Sequence, residues 1–173
     1  MPRFLHLFAL LPLAAVAQDI HVPDALSGRF TQQKEIQQAG LTLRSAGSFS
    51  IIKGKGIKWA VESPVKSTIV LCPGTALGEA EVAKQIAAIM QALLLQDYNA
   101  LSKYFDVERA ANSEGFEIRL KTTDGTLAKI FSEIVIKGDK YIKTVALFNQ
   151  QGDLTTIAFT DLREMAEQFS CDE

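Results

Sequence analysis

The stretch LTLRSAGSFSIIKGKGIKWAVESPVKSTIVL, residues 41–71, holds three short alternating segments separated by two turns. The glycine-punctuated turn Lys53-Gly54-Lys55-Gly56 divides the first from the second. The proline-broken turn Glu62-Ser63-Pro64-Val65-Lys66 divides the second from the third. Phe49, Ile51, Ile57, Trp59, Val61, Ile69 and Leu71 recur at every second position within their segments. A period of two places such residues on one face of a pleated sheet. The alternate positions Ser48, Ser50, Lys58, Glu62 and Thr68 are polar. This pattern predicts strands over 41–52, 56–62 and 66–71 in an antiparallel meander with one apolar and one solvated face.

Toward the N-terminus, GRFTQQKEIQ at 28–37 alternates in the same way and reads as a further strand. Beyond Pro73-Gly74-Thr75 the period changes. Val82, Ile86, Ile89, Met90, Leu93 and Leu94 fall three and four residues apart, the mark of an amphipathic helix over 79–104. A break is expected near Asp97-Tyr98-Asn99, with the helix resuming through Leu101 and Tyr104. The apolar stripe of this helix needs a partner, and the sheet is the only large apolar surface available.

From Phe105 the period returns to two, with strands expected over 105–110, 115–122, 133–137, 140–149 and 154–160. The joints Asp124-Gly125, Gly138-Asp139 and Gly152-Asp153 are tight-turn signals, because Gly and Asp tolerate positive φ. Residues 127–131 suggest one helical turn. Residues 161–169 suggest a short terminal helix with Asp161 as its N-cap. The 140–149 strand is apolar on both sides, with Tyr141, Val145 and Leu147 facing one way and Ile142, Ala146 and Phe148 the other. The fold class is mainly β (α+β): a long antiparallel sheet with helices on one face.

At 173 residues the chain suits one domain with a sizeable core. Its first segment stands apart: Arg3 supplies a positive start, residues 4–13 are almost unbroken apolar sequence, and Ala15-Val16-Ala17 is a small-residue cleavage triplet. That is the pattern of a secretory signal peptide over 1–17, too short to span a bilayer. The mature domain is then 18–173, and no Cys follows the cleavage triplet to carry a lipid anchor. An exported, soluble protein is expected. Loss of Arg3 takes the formal net charge from −2 to −3, without the strongly basic face that nucleic acid requires. Two cysteines, Cys72 and Cys171, survive export, and an oxidising compartment permits a disulfide between them. Sequence leaves open whether their Cα atoms come within bridging distance.

Side chains that carry catalysis are scarce. The one histidine left after cleavage is His21, in the leader. No GxSxG elbow, HExxH, P-loop or GxGxxG occurs. A carboxylate pair such as Glu62 with Glu117 is the remaining acid–base option. Neither cysteine belongs to a CxxC motif or a zinc-ligand cluster. The chain reads as a binder of something apolar, with no cofactor and no metal. A curved sheet under helices can leave an apolar cavity between the two layers.

Phe30 and Gln32 in FTQQKEI, Gly47 in LRSAGSF, Trp59 and Pro64 in GIKWAVESP, and the aliphatic STIVL together resemble the periplasmic outer-membrane lipoprotein carriers, the LolA-like family. The resemblance implies an incomplete β-barrel whose apolar concave face is lidded by helices. It implies carriage of acylated lipoprotein or lipid cargo from an inner-membrane loading complex to an outer-membrane acceptor, by a monomer and without catalysis. On that reading Phe49, Ile51, Ile57, Trp59, Ile69 and Leu71 line the cavity. Val82, Ile86, Ile89, Met90 and Leu93 form the underside of the lid. Where well-studied relatives carry an arginine and a proline before the Trp strand, this chain has Lys53 and Gly54. Lys53 is thus the candidate latch, without the planar donor fork of a guanidinium. The departure marks a divergent member. The alternative is a lipid or lipoprotein sensor or scaffold on the same fold, with an enzyme ranking third.

Overall fold

The computed structural model describes residues 23–72, 97–112, 115–125 and 127–165, together with Ile89, Ala92, Leu93 and Phe169. Among the described residues nine strands form a single antiparallel sheet: β1 (Ala25–Ile36), β2 (Leu41–Ile52), β3 (Gly56–Ser63), β4 (Ser67–Leu71), β5 (Phe105–Asn112), β6 (Gly115–Thr122), β7 (Glu133–Gly138), β8 (Ile142–Phe148) and β9 (Leu154–Arg163). Their order across the sheet is β4-β3-β2-β1-β9-β8-β7-β6-β5. Two meanders therefore meet where the first described strand pairs with the last, and among the described residues no further strand pairs with β4 or β5 at the two edges. The sheet is not closed into a barrel.

The strands form where alternation and turn chemistry agree. The β1–β2 ladder runs from Ala25↔Ile52 to Ile36↔Leu41 without a slip. At the β8–β9 turn, Asn149 Oδ1 accepts from the backbone N–H of Gln151 at 3.0 Å and of Asp153 at 2.8 Å. Asp153 Oδ1 in turn accepts from Gln37 N at 3.0 Å, tying that turn to the far end of β1. Asp124 Oδ1 accepts from Leu127 N at 2.9 Å and starts the 3-10 turn Leu127–Lys129. These are the local side-chain bonds for which Asn and Asp are suited in turns.

Helical backbone occurs at Ile89, Ala92 and Leu93 and in the short helix α1 (Tyr98–Leu101). The expected break falls at Asp97, whose carboxylate accepts from Ala100 N at 3.0 Å and caps α1. Asp97 N also donates to Ala92 O at 2.8 Å, coupling α1 to the preceding helical turn. Ile89, Leu93 and Leu101 are buried in the same core as Phe30, Phe49, Ile51, Ile118, Leu120, Ile134 and Ile136. The described part of the apolar stripe, Ile89 and Leu93, thus packs into the sheet's core, and each such fully buried side chain contributes about 1.5–3 kcal/mol.

Three expectations are corrected. Residues 161–163 continue β9 rather than opening a helix, and Asp161 has φ +54° where the β1–β9 register shifts. It is the extra residue of a β-bulge, not an N-cap. Residues 102–104 form a turn, and α1 ends at Leu101. Ile142 lies on the same face as Val145, both in the core, because a register shift at Lys137/Gly138 inserts a residue into β8. Simple alternation sends Ile142 to the opposite side; the bulge reverses it.

Candidate functional site

Cross-strand pairing shows which side chains share a face. Leu26, Ile51, Ile57 and Leu71 form one row, and Gly28, Phe49, Trp59 and Ile69 the next. Phe30, Gly47, Val61 and Ser67 form the third. The six residues expected to line an apolar wall therefore do lie on one face. Their environments are graded. Phe49, Ile51 and Ile57 are buried in the core. Trp59, Val61 and Leu71 are half-buried against it, and Ile69 on the edge strand is 47% exposed. The apolar face passes from packed core at β2 and Ile57 to partly accessible surface at Trp59, Val61 and Leu71 and exposed surface at Ile69.

Four aromatic rings cluster on this face, three of them buried and the fourth, Trp59, half-buried. Phe30 stacks on Trp59 with centroids 3.8 Å apart, and Phe49 meets Phe159 edge-on at 5.2 Å. Trp59 also lies 6.2 Å from Phe49 and 6.3 Å from Phe159. Phe159 and Leu26 escaped the sequence reading, although β9 carries the same alternation. Of the expected lid residues, Ile89 and Leu93 are buried against this core. Val82, Ile86 and Met90 lie outside the described residues.

Lys53 sits at the exposed tip of the β2–β3 turn. Its N–H donates to Asp24 O at 2.8 Å, and its ammonium lies 3.8 Å from the Asp24 carboxylate. Cys72, directly after β4, is disulfide-bonded, while Cys171 lies outside the described residues. His21 also lies outside them.

The opposite face is polar. It carries a groove of about 470 Å³ lined by Ser27, Arg29, Ser48, Ser50, Lys58 and Thr68, among others. A second groove, of about 570 Å³, is lined largely by Thr31, Gln33, Arg44, Ala46 and Thr156. The carboxylates offered for acid–base work do not form a pair. Glu62 is the bulged residue of β3 and bonds Arg29 at 2.9 Å. Glu117 on β6 bonds Arg119 at 2.8 Å and Lys137 at 3.0 Å. Hydrogen bonds from Arg29 and Ser48 hold the Glu62 carboxyl below the usual range, and Lys137 and Arg119 do the same for Glu117. Both are thus stabilised as anions, the reverse of what a general acid needs. Among the described residues no cluster of His, Cys, Asp and Glu could hold a metal ion, and no helix is long and apolar enough to cross a membrane.

A family model described as outer membrane lipoprotein carrier protein LolA matches residues 23–170. The chain belongs to the LolA family. Solved structures similar to this LolA-family chain include a LolA superfamily protein from Nitrosomonas europaea, at 5% identity and a TM-score of 0.41, covering 86% of this chain and 88% of that one. A DUF1329 family protein from Desulfovibrio piger matches at 8% identity and a TM-score of 0.31, covering 83% and 87%. No curated protein matches. In this LolA-family chain Phe30, Gly47 and Trp59, far apart in sequence, converge on one patch of the sheet.

Proposed function

We propose that this chain is a periplasmic carrier that shields the acyl chains of a lipoprotein or lipid and delivers them toward the outer membrane. The observation that carries the reading is the graded apolar face. A wall made only for folding ends where the core ends, whereas this one continues through Trp59, Val61 and Leu71 to the exposed Ile69. The helical Ile89 and Leu93 already lie against the buried part of the wall, which suits a lid that lifts over it. Membership of a family described as lipoprotein carriers supports the same conclusion.

The energetics suit transfer rather than catalysis. Burial of each acyl CH₂ is worth roughly 0.8 kcal/mol, so a long chain is held firmly until an equally apolar acceptor is offered. Loading from an inner-membrane complex and unloading to an outer-membrane acceptor are the corresponding partners. Export by the 1–17 signal peptide places the chain between the two membranes.

The test is to purify the mature protein from periplasm and examine it by native mass spectrometry and lipid extraction. Acyl species should co-purify, and Trp59→Asp or Ile89→Asp should release them. A folded protein that neither co-purifies with acyl species nor takes them up from detergent-free donor vesicles is not a carrier.

A further inference from the structure

One residue on the apolar face breaks its chemistry. Along β5, Phe105, Val107, Arg109 and Ala111 share the inner face, because Val107 pairs with the buried Leu120 and Arg109 with the buried Ile118. The row beyond Arg109 continues through Ile118, Ile136, Val145 and Ile157, all core residues. Every other arginine in the described strands lies on the polar face: Arg29 pairs across the strands with Ser48, Arg44 with Gln33, Arg119 with Val135 and Arg163 with Ser27. Arg29 and Arg119 are also matched to carboxylates. Among the described residues Arg109 has no ion pair. Its guanidinium lies 3.6 Å from the centre of the Tyr98 ring, a contact that leaves the edge donors of the fork available.

Around this cation lies a groove of about 410 Å³ lined by Tyr98, Asn99, Ser102, Val107 and Arg109. Val107 and Tyr98 pack against the core, so the groove joins the apolar layer on one side and opens to water on the other. Hydrocarbon on one side and an uncompensated guanidinium on the other match an amphiphile with a negatively charged head. We propose that Arg109, with Tyr98 and Asn99, forms an anionic headgroup subsite at the rim of the acyl-binding face, taking the phosphate or carboxylate of a lipid whose chain enters beneath the helical layer. The subsite rests on the carrier reading and narrows its cargo to anionic amphiphiles. A bidentate guanidinium suits either oxyanion.

The experiment compares three ligands of equal chain length, dodecyl phosphate, dodecanoate and neutral monododecanoylglycerol, by calorimetry below their micelle concentrations at pH 8. The wild-type protein should bind the better anion about fivefold more tightly than the neutral lipid, the upper end of what a partly solvated ion pair supplies. The tighter of the two anions identifies the head as phosphate or carboxylate. Arg109→Gln should abolish the preference while leaving the neutral affinity unchanged, and Arg109→Lys should retain part of it. Raising salt should weaken only the anions. Equal wild-type binding of all three ligands overturns the subsite and leaves the carrier reading intact. So does an Arg109→Gln variant that keeps the anion preference, or one that loses all three ligands equally. If no ligand binds a protein whose thermal melt is native, the carrier reading falls and the subsite with it.

Discussion

Phe30 and Trp59 stack with ring centroids 3.8 Å apart although β1 and β3, which carry them, are separated by β2. Neighbouring strands lie about 4.8 Å apart, so side chains two strands away meet only if the position between them is vacant. That position is Gly47, paired with Phe30 on one side and Val61 on the other. Phe49 and Phe159 meet in the same way across Gly28 of β1. Two glycines thus open the sheet to four aromatic rings.

Gly47→Ala is expected to be the more damaging of the two glycine substitutions. Its Cβ would run into the carbonyl oxygen of Ala60, a backbone atom fixed by the β2–β3 ladder, and approach Phe30 Cε1 to 3.0 Å. At Gly28 the added methyl meets Thr160 O at 2.8 Å, but its other neighbours, Leu162 Cδ2 and Phe49 Cε1, are side chains that can shift. Overpacking of this kind costs about 1–3 kcal/mol, and Gly47→Ala should lie at or above the top of that range. Urea unfolding of the two variants measures the difference; equal midpoints contradict this ranking.

Truncation of the stacked pair should separate folding from binding. Phe30 is 1% exposed, so Phe30→Ala removes a core ring and should cost about 3–5 kcal/mol. Trp59 is only half-buried, and Trp59→Ala should cost less stability but weaken acyl binding more. Trp59 is also the sole tryptophan, so its emission should change as an acyl ligand displaces water from its exposed side. Denaturation curves and fluorescence titrations on the same preparations check both halves of the prediction.

The first four strands were legible because each obeys alternation and ends at a turn residue; β2 and β6 match their expected bounds at both ends. The shared face of Phe49, Ile51, Ile57, Trp59, Ile69 and Leu71 was legible for the same reason, since it needs only a period of two and an unbroken register. Bulges defeated the same reasoning elsewhere. One extra residue in β8 turned Ile142 inward, and another at Asp161 extended a strand through what had the pattern of a helix start. The β1–β9 pairing joins residues more than a hundred positions apart, and no local pattern announces it. Arg109 was readable in principle, since Phe105, Val107 and Ala111 flank it at even spacing. Net charge along the chain carries no information on which face of a strand a charge occupies, and it is the face that sets Arg109 apart.

Cys72 is disulfide-bonded, and the other cysteine of the sequence is Cys171, which lies outside the described residues; we propose that the two form the bridge. Such a bridge closes a loop of about 100 residues, for which chain entropy supplies up to about 4–5 kcal/mol. Non-reducing peptide mapping should recover the two half-cystines in one cross-linked peptide. Reduction should lower the urea midpoint, and Cys171→Ser should expose one titratable thiol. Peptide maps showing Cys72 joined to a second molecule contradict the assignment.

Acid should weaken the fold through the polar face. Glu62, Glu117 and Asp139 are all held below their ordinary range, chiefly by hydrogen bonds from Arg29, Lys137 and Lys143 respectively. A carboxylate depressed on folding contributes stability that is complete above its unfolded pKa and disappears as pH falls through its folded one. Stability should therefore hold from neutrality down to the normal carboxylate range and decline below it. Each contribution is small because all three groups are solvated. Arg29→Gln should flatten part of the decline by removing the main cause at Glu62. Urea midpoints measured from pH 7 to pH 3 report the effect, and an unchanged slope in Arg29→Gln refutes it.

Asp161 offers a test of the β9 bulge itself. Its φ of +54° lies in the left-handed region, where a side chain costs about 1–2 kcal/mol and Asp or Asn suffers least among residues with a Cβ. The residue is exposed. Asp161→Gly should therefore be neutral or slightly stabilising, the relief of backbone strain offsetting the greater freedom of glycine in the unfolded chain. Asp161→Val should be destabilising by about 1–2 kcal/mol, because a β-branched side chain tolerates positive φ worst. An N-cap gives a different order: there Gly falls a few tenths of a kcal/mol below Asp, and Ala and Val fall together because both lack the capping oxygen. In the bulge Asn should match wild type and Ala should fall between Asn and Val. The order Gly ≥ Asp ≈ Asn > Ala > Val in urea midpoint supports a left-handed bulge residue, whereas Val equal to Ala removes the backbone argument.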